Sequence, residues 1–151
     1  MTLMAATEAP EVSELIQALR DYVDARNAAL IDARRELGVN ELDARALLFI
    51  ADNPGVRPSQ LRDYLGITSA GITTLVDRLI SRETVARESD EKDRRVVHLT
   101  ALVDLENEPW SALYRFDTAF QRAADDYPVE QIAEFSDLLG KLTAGTTSRL
   151  P

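Results

Sequence analysis

Two short amphipathic stretches joined by almost nothing constrain this chain most. Pro58-Ser59 opens a helical run carrying Leu61 and Leu65, and Gly66 stops it. Only Ile67 and Thr68 then precede a second run with Ile72, Leu75, Val76 and Leu79 on one face and Ile80 at its margin. So short a first helix and so tight a link predict a helix-turn-helix. Its second helix presents Ala70, Thr73, Thr74, Asp77, Arg78 and Ser81 away from the core. After Arg82 the helical period gives way to alternation. Thr84 to Glu88 and Arg94 to Thr100 read as strands around a polar tip, Ser89 to Asp93. A hairpin directly after a helix-turn-helix is a wing.

The flanks are helical. Val12, Leu15, Ile16, Leu19, Val23, Leu30 and Leu37 recur at three- and four-residue steps without Pro or Gly, and Gly38 closes the run. Asn40 caps a second helix with Asp43 in its first turn, which the Asn53-Pro54-Gly55 turn ends. From about Val103 the chain is expected to be helical again, with Leu113, Phe116, Phe120 and Ala124 as one stripe. After a break at Asp125 to Pro128, Val129, Ile132, Phe135, Leu139 and Leu142 make the last. The fold class is therefore mainly α with a small β-hairpin wing. The single chain 1–151 is expected to hold a winged helix-turn-helix lobe at 40–102. Helices at 11–37 and 103–148 carry more apolar stripe than so small a lobe covers, and pairing with a second copy is the natural way to bury it.

The net charge of −9 weighs against nucleic acid only until its distribution is read. Arg57 to Arg95 holds eight basic and seven acidic residues, whereas the rest of the chain holds nine basic and nineteen acidic. The absence of cysteine removes disulfides and thiolate chemistry, and a single histidine disfavours a transition-metal site, so neither metal nor cofactor is expected. With no apolar run long enough to cross a bilayer, and no basic n-region between Met1 and Glu11, the expectation is a cytoplasmic protein with no membrane partner. Catalysis is not expected. His98 has no recognisable nucleophile or carboxylate partner, there is no glycine-rich phosphate loop, and Asp125-Asp126 reads as a solvated helix end.

The segments SQLRDYLGIT, ITTLVDRLISRETVARE and DEKDRRVVHL resemble the MarR family of bacterial regulators over roughly Leu42 to Leu102. That family's wing carries D-x-R-x-x-x-L-x-L-T, and Asp93, Arg95 and Leu99 match it at the right spacing. Ala101 and Leu102 stand in place of its second Leu and its Thr, Glu83 where a Gly is usual at the helix-to-wing junction, and Thr74 where many members have Arg. The resemblance implies a homodimer on double-stranded DNA, its recognition helices entering successive major grooves about 34 Å apart and its wings reaching the minor groove. It implies a ligand-responsive repressor whose small aromatic or phenolic effector binds a cleft between lobe and dimer helices.

Arg95 is the foremost candidate, as an arginine for a narrow minor groove, with a solvated strand arginine as the plain reading. On a strand Arg94 points the other way, to a phosphate or to solvent. Arg78 either reads guanine or pairs near Asp77 or with the wing, and Thr73 and Thr74 either touch bases and phosphates or fill an exposed face. Ser69 either receives a phosphate at the helix start or caps it. Asp93 is expected to pair with Arg87 across the hairpin and brace the wing. His98 reads as a surface residue, and Trp110, Tyr22 and Tyr64 as core or as cleft lining. The competing function is a winged-helix module that binds protein and no DNA. Arg94-Arg95 on the wing argues against it.

Overall fold

The computed structural model describes residues 9–151, so the reading of the first eight residues as free of a targeting signal lies outside them. Six helices and a two-stranded hairpin follow in the order α1 (Pro10–Leu37), α2 (Glu41–Asp52), α3 (Pro58–Leu65), α4 (Ser69–Ser81), β1 (Val85–Ser89), β2 (Val97–Ala101), α5 (Arg115–Ala124) and α6 (Val129–Thr147). The chain divides into two compact units, one ending at Tyr114 and the other running from Arg115 to Pro151. No helix among the described residues is long and apolar enough to cross a membrane.

Local chemistry sets the helix ends. Asn40 Oδ1 accepts the Asp43 N–H at 2.8 Å, and Thr68 Oγ1 accepts the Gly71 N–H at 3.0 Å, each satisfying a donor that a helix start leaves orphaned. Arg57 N–H donates to Gln60 Oε1 at the start of α3. Gly66 closes α3 at φ 67°, where a side chain would clash with its own backbone, and turns the chain sharply into α4.

The core of the first unit forms where α2, α3 and α4 meet beneath the hairpin. Leu47, Ile50, Leu61, Leu75, Val76, Leu79, Val85 and Leu99 are its largest fully buried side chains. β1 and β2 pair antiparallel with Val85 opposite Ala101 and Glu88 opposite His98. Leu99 also bridges Val56, through Leu99 N–H to Val56 O at 2.8 Å and Gly55 N–H to Leu99 O at 3.0 Å. The base of the wing is thereby stitched to the loop between α2 and α3.

Residues 103–114 depart from the expected helix. Asp104 accepts the Glu106 N–H and the Asn107 amide, shaping a turn, and Pro109 lacks the N–H a helix would use. Only a single 3-10 turn forms there, Trp110–Tyr114, before α5. Leu105, Ala112 and Leu113 instead join Ala33, Val39 and Ala44 in a second buried cluster. Leu113 thus belongs to that core and not to the α5 stripe. In the second unit, α5 and α6 carry no buried residue.

Candidate nucleic-acid interface

The outward face of α4 is polar and exposed at Ser69, Ala70, Thr73, Thr74, Asp77 and Ser81. The Thr73 and Thr74 hydroxyls donate to Ser69 O and Ala70 O at 3.1 and 3.2 Å, so their oxygens remain acceptors. Ser69 does not cap the helix; Thr68 does. Ser69 Oγ instead accepts from Arg62 Nη1 at 3.4 Å, and Arg62 is itself held by Asp63. Its place in the first turn leaves the free N–H groups of α4 beside it.

Arg78 takes a partner that sequence spacing did not indicate. Its Nε lies 3.0 and 3.1 Å from the two carboxylate oxygens of Asp43, and Nη2 closes the fork on Oδ1. Asp43 is 1% exposed, and Arg78 is only partly covered. The hydrogen bonds it donates to Asp43 hold the guanidinium pKa above its ordinary value, so it stays charged throughout. Fork geometry of this kind fixes direction as well as distance, and it ties α4 to α2. Neither Asp77 nor the wing engages Arg78. The partner of Asp77 is Arg87, 3.4 Å away, which links β1 to α4. At the end of α4, Arg82 Nη1 donates to Gly38 O beyond α1.

That geometry corrects the bracing expected between Arg87 and Asp93. The register sets Arg87 opposite Leu99, and Asp93 lies in the tip, beyond the reach of a cross-strand pair. Asp93 Oδ1 accepts the Arg95 backbone N–H at 3.0 Å and faces Arg95 Nε at 3.4 Å. β2 begins at Val97, so Arg94 and Arg95 occupy a turn, and the strand alternation expected of them does not apply. The Arg95 side chain is 93% exposed, and Lys92 and Arg94 are exposed beside it in sequence. The wing tip thus carries three cations beside three carboxylates, Asp90, Glu91 and Asp93.

His98 is also not the surface residue expected. Half-buried, it has Nδ1 2.7 Å from Gly55 O and Nε2 3.1 Å from Asp90 Oδ2. Asp90 Oδ1 meanwhile accepts the N–H groups of Lys92 and Asp93 at 2.7 and 3.3 Å. These bonds to backbone and ring hold the Asp90 carboxyl below the usual carboxylate range, and the carboxylate in turn raises the histidine. Neither this link nor the Asp43–Arg78 pair has a periodic signature in sequence, because each joins residues on different elements.

Of the aromatic candidates, Tyr64 stacks on Phe49 with ring centroids 4.0 Å apart and has the Arg45 guanidinium 5.7 Å from its ring centre, and Trp110 packs against both buried clusters. Tyr22 is half-buried on α1. Among the described residues, no group of three or more His, Asp or Glu is placed to hold a metal ion.

Residues 37–96 match the model of the MarR family. No curated protein matches the chain. Among solved structures, the chain is similar to a MarR family protein from Bacillus stearothermophilus, with a TM-score of 0.68 and 21% identity over 91% of this chain and 96% of that one. The transcriptional regulator Tm0710 from Thermotoga maritima gives a TM-score of 0.60 at 22% identity, covering 90% and 96%. FabT of Streptococcus pneumoniae, solved in complex with DNA, gives 0.56 at 23%, covering 88% and 98%.

Proposed function

We propose that this chain, whose residues 37–96 match the model of the MarR family, is a transcriptional regulator of that family, a sequence-specific repressor that binds a pseudo-palindromic DNA site as a homodimer. The observation that carries the reading is the pairing of two surfaces in one unit: the polar outward face of α4, and a wing tip on which Lys92, Arg94 and Arg95 stand exposed. A helix of this width fits a major groove, and an arginine on a projecting hairpin fits the enhanced negative potential of a narrow minor groove. FabT, a structural neighbour, was captured on DNA, and this chain carries the same fold.

In this reading Arg95 enters the minor groove, while Arg94 and Lys92 meet flanking phosphates. Thr73 and Thr74 offer acceptor oxygens and methyl groups to base edges, and Ser69 places a phosphate at the α4 start. Arg78 acts chiefly by holding α4 on Asp43, and base contact is left to the part of its guanidinium that Asp43 does not occupy. Asp93 braces the tip through Arg95. The dimer is carried by α1, α5 and α6, whose exposed apolar residues need a partner. A small aromatic or phenolic effector acts on the spacing of the two lobes.

Fluorescence anisotropy with DNA fragments selected from a random pool tests this. Binding should be sequence-selective and weaken steeply with salt, and Arg95→Ala should cost about 1–2 kcal/mol of affinity without altering thermal stability. Binding that is absent or indifferent to salt overturns the reading and leaves the protein-binding winged helix in its place.

A further inference from the structure

The two ring nitrogens of His98 both face acceptors. Gly55 O can only accept, so Nδ1 carries a hydrogen; Asp90 Oδ2 belongs to a carboxylate, so Nε2 is best satisfied by carrying one too. A neutral ring has one N–H and must leave one of these acceptors opposite a lone pair. The ring thus joins three elements: β2, on which it sits, the loop after α2 at Gly55, and the start of the wing tip at Asp90. Through its other oxygen Asp90 holds the Lys92 and Asp93 N–H groups, and Asp93 holds Arg95.

Building on the DNA-binding reading above, we propose that His98 and Asp90 form a proton-dependent clasp that positions the three basic side chains of the wing tip, so that DNA affinity falls as the imidazolium is neutralised. His98 touches no nucleic acid in this scheme; it is a positioning residue for Lys92, Arg94 and Arg95. The charged groups that act on it are Asp90 in the tip, which favours the imidazolium, and Arg57 before α3, which opposes it; Glu88 is its register partner on β1. The bond to Asp90 outweighs the repulsion, and the ring titrates above its ordinary value of 6.5. The sign follows: the clasp is complete below that value and is lost as pH rises through the raised one.

His98 is the only histidine in the chain, so its imidazole nitrogens give one resolved NMR titration. In the full chain without DNA the midpoint is expected above 6.5, with both nitrogens protonated below it. At fixed ionic strength, affinity for selected DNA should fall about three- to tenfold between about pH 6 and about pH 8.5. His98→Gln should bind at the weaker level throughout, with a flat profile. Asp90→Asn keeps an oxygen for the backbone N–H groups and turns an amide donor to the ring, so the midpoint should drop below 6.5 and the slope vanish or invert. Simple charge makes the opposite prediction, tighter binding by Asp90→Asn at every pH, and that result overturns the clasp. So does a wild-type midpoint at or below 6.5, or a slope that survives in His98→Gln. A high midpoint in a protein that binds no DNA at either pH overturns the regulator reading, and with it the use assigned to the clasp.

Discussion

Asp43 concentrates the energetic risk of this lobe in one carboxylate. At 1% exposure it has left water almost entirely, and its compensation is the Asn40-capped helix start and the Arg78 fork. Removing the guanidinium strands that charge. A fully buried pair broken in this way costs about 3–5 kcal/mol, and the half-exposed arginine end admits water that lessens it. Arg78→Ala is therefore expected to lose about 2–3 kcal/mol in urea denaturation, with Asp43→Leu plus Arg78→Met recovering most of it. A loss under about 0.5 kcal/mol in the single variant would show that Asp43 finds water instead. Sequence could not have revealed the pair. Asp43 reads as a first-turn carboxylate and Arg78 as a surface cation, each satisfactory alone, and the two lie 35 residues apart. Caps were more legible, since they are local: Asn40 was evident, and at α4 the cap falls on Thr68, one residue before the serine that shares its chemistry.

At the scale of elements, the junction between α4 and the wing is the strained point. Glu83 has φ 59°, the only positive value at a non-glycine among the described residues. The chain needs that geometry to stop α4: Glu83 N–H reaches Ile80 O at 2.9 Å, and both the Thr84 N–H and its hydroxyl donate to Leu79 O. Holding a side chain in the left-handed region costs about 1–2 kcal/mol, and glycine gives back some of that as flexibility of the unfolded chain. Glu83→Gly should therefore stabilise the protein by about 0.5–1 kcal/mol in thermal unfolding, and an equal or lower stability would refute strain at this turn. The unusual glutamate was visible in the sequence; the dihedral that gives it meaning was not. The periodic helices were legible because each buries a continuous stripe. The stretch from Val103 departs from the expected helix because its apolar residues follow a helical spacing while Asp104 and Pro109 decide the backbone locally.

For the whole molecule, the acid and the exposed apolar surface lie in the same segments. Val12, Ile16, Val23 and Ile31 on α1, and Val129, Phe135, Leu138 and Leu142 on α6, are all exposed, with Val129 at 78%. Scattered singly such residues need no explanation, but in α6 they recur along one helix that buries nothing. Each is worth about 1.5–3 kcal/mol when fully covered, so covering them with a second copy of the chain, as proposed, would outweigh the cost of association. Light scattering should then give twice the chain mass of 16.8 kDa at micromolar concentration. Phe135→Asp with Leu142→Asp should give the single mass while near-native circular dichroism persists, because neither side chain is buried in the described unit. The same variant should lose most of its affinity for a two-half-site DNA, since each lobe would bind alone and meet the phosphates with the full burden of acid outside residues 57–95. A wild-type chain that runs as a monomer, or a monomeric variant that keeps its DNA affinity, would mean that those helices bury their apolar faces on something other than a second copy.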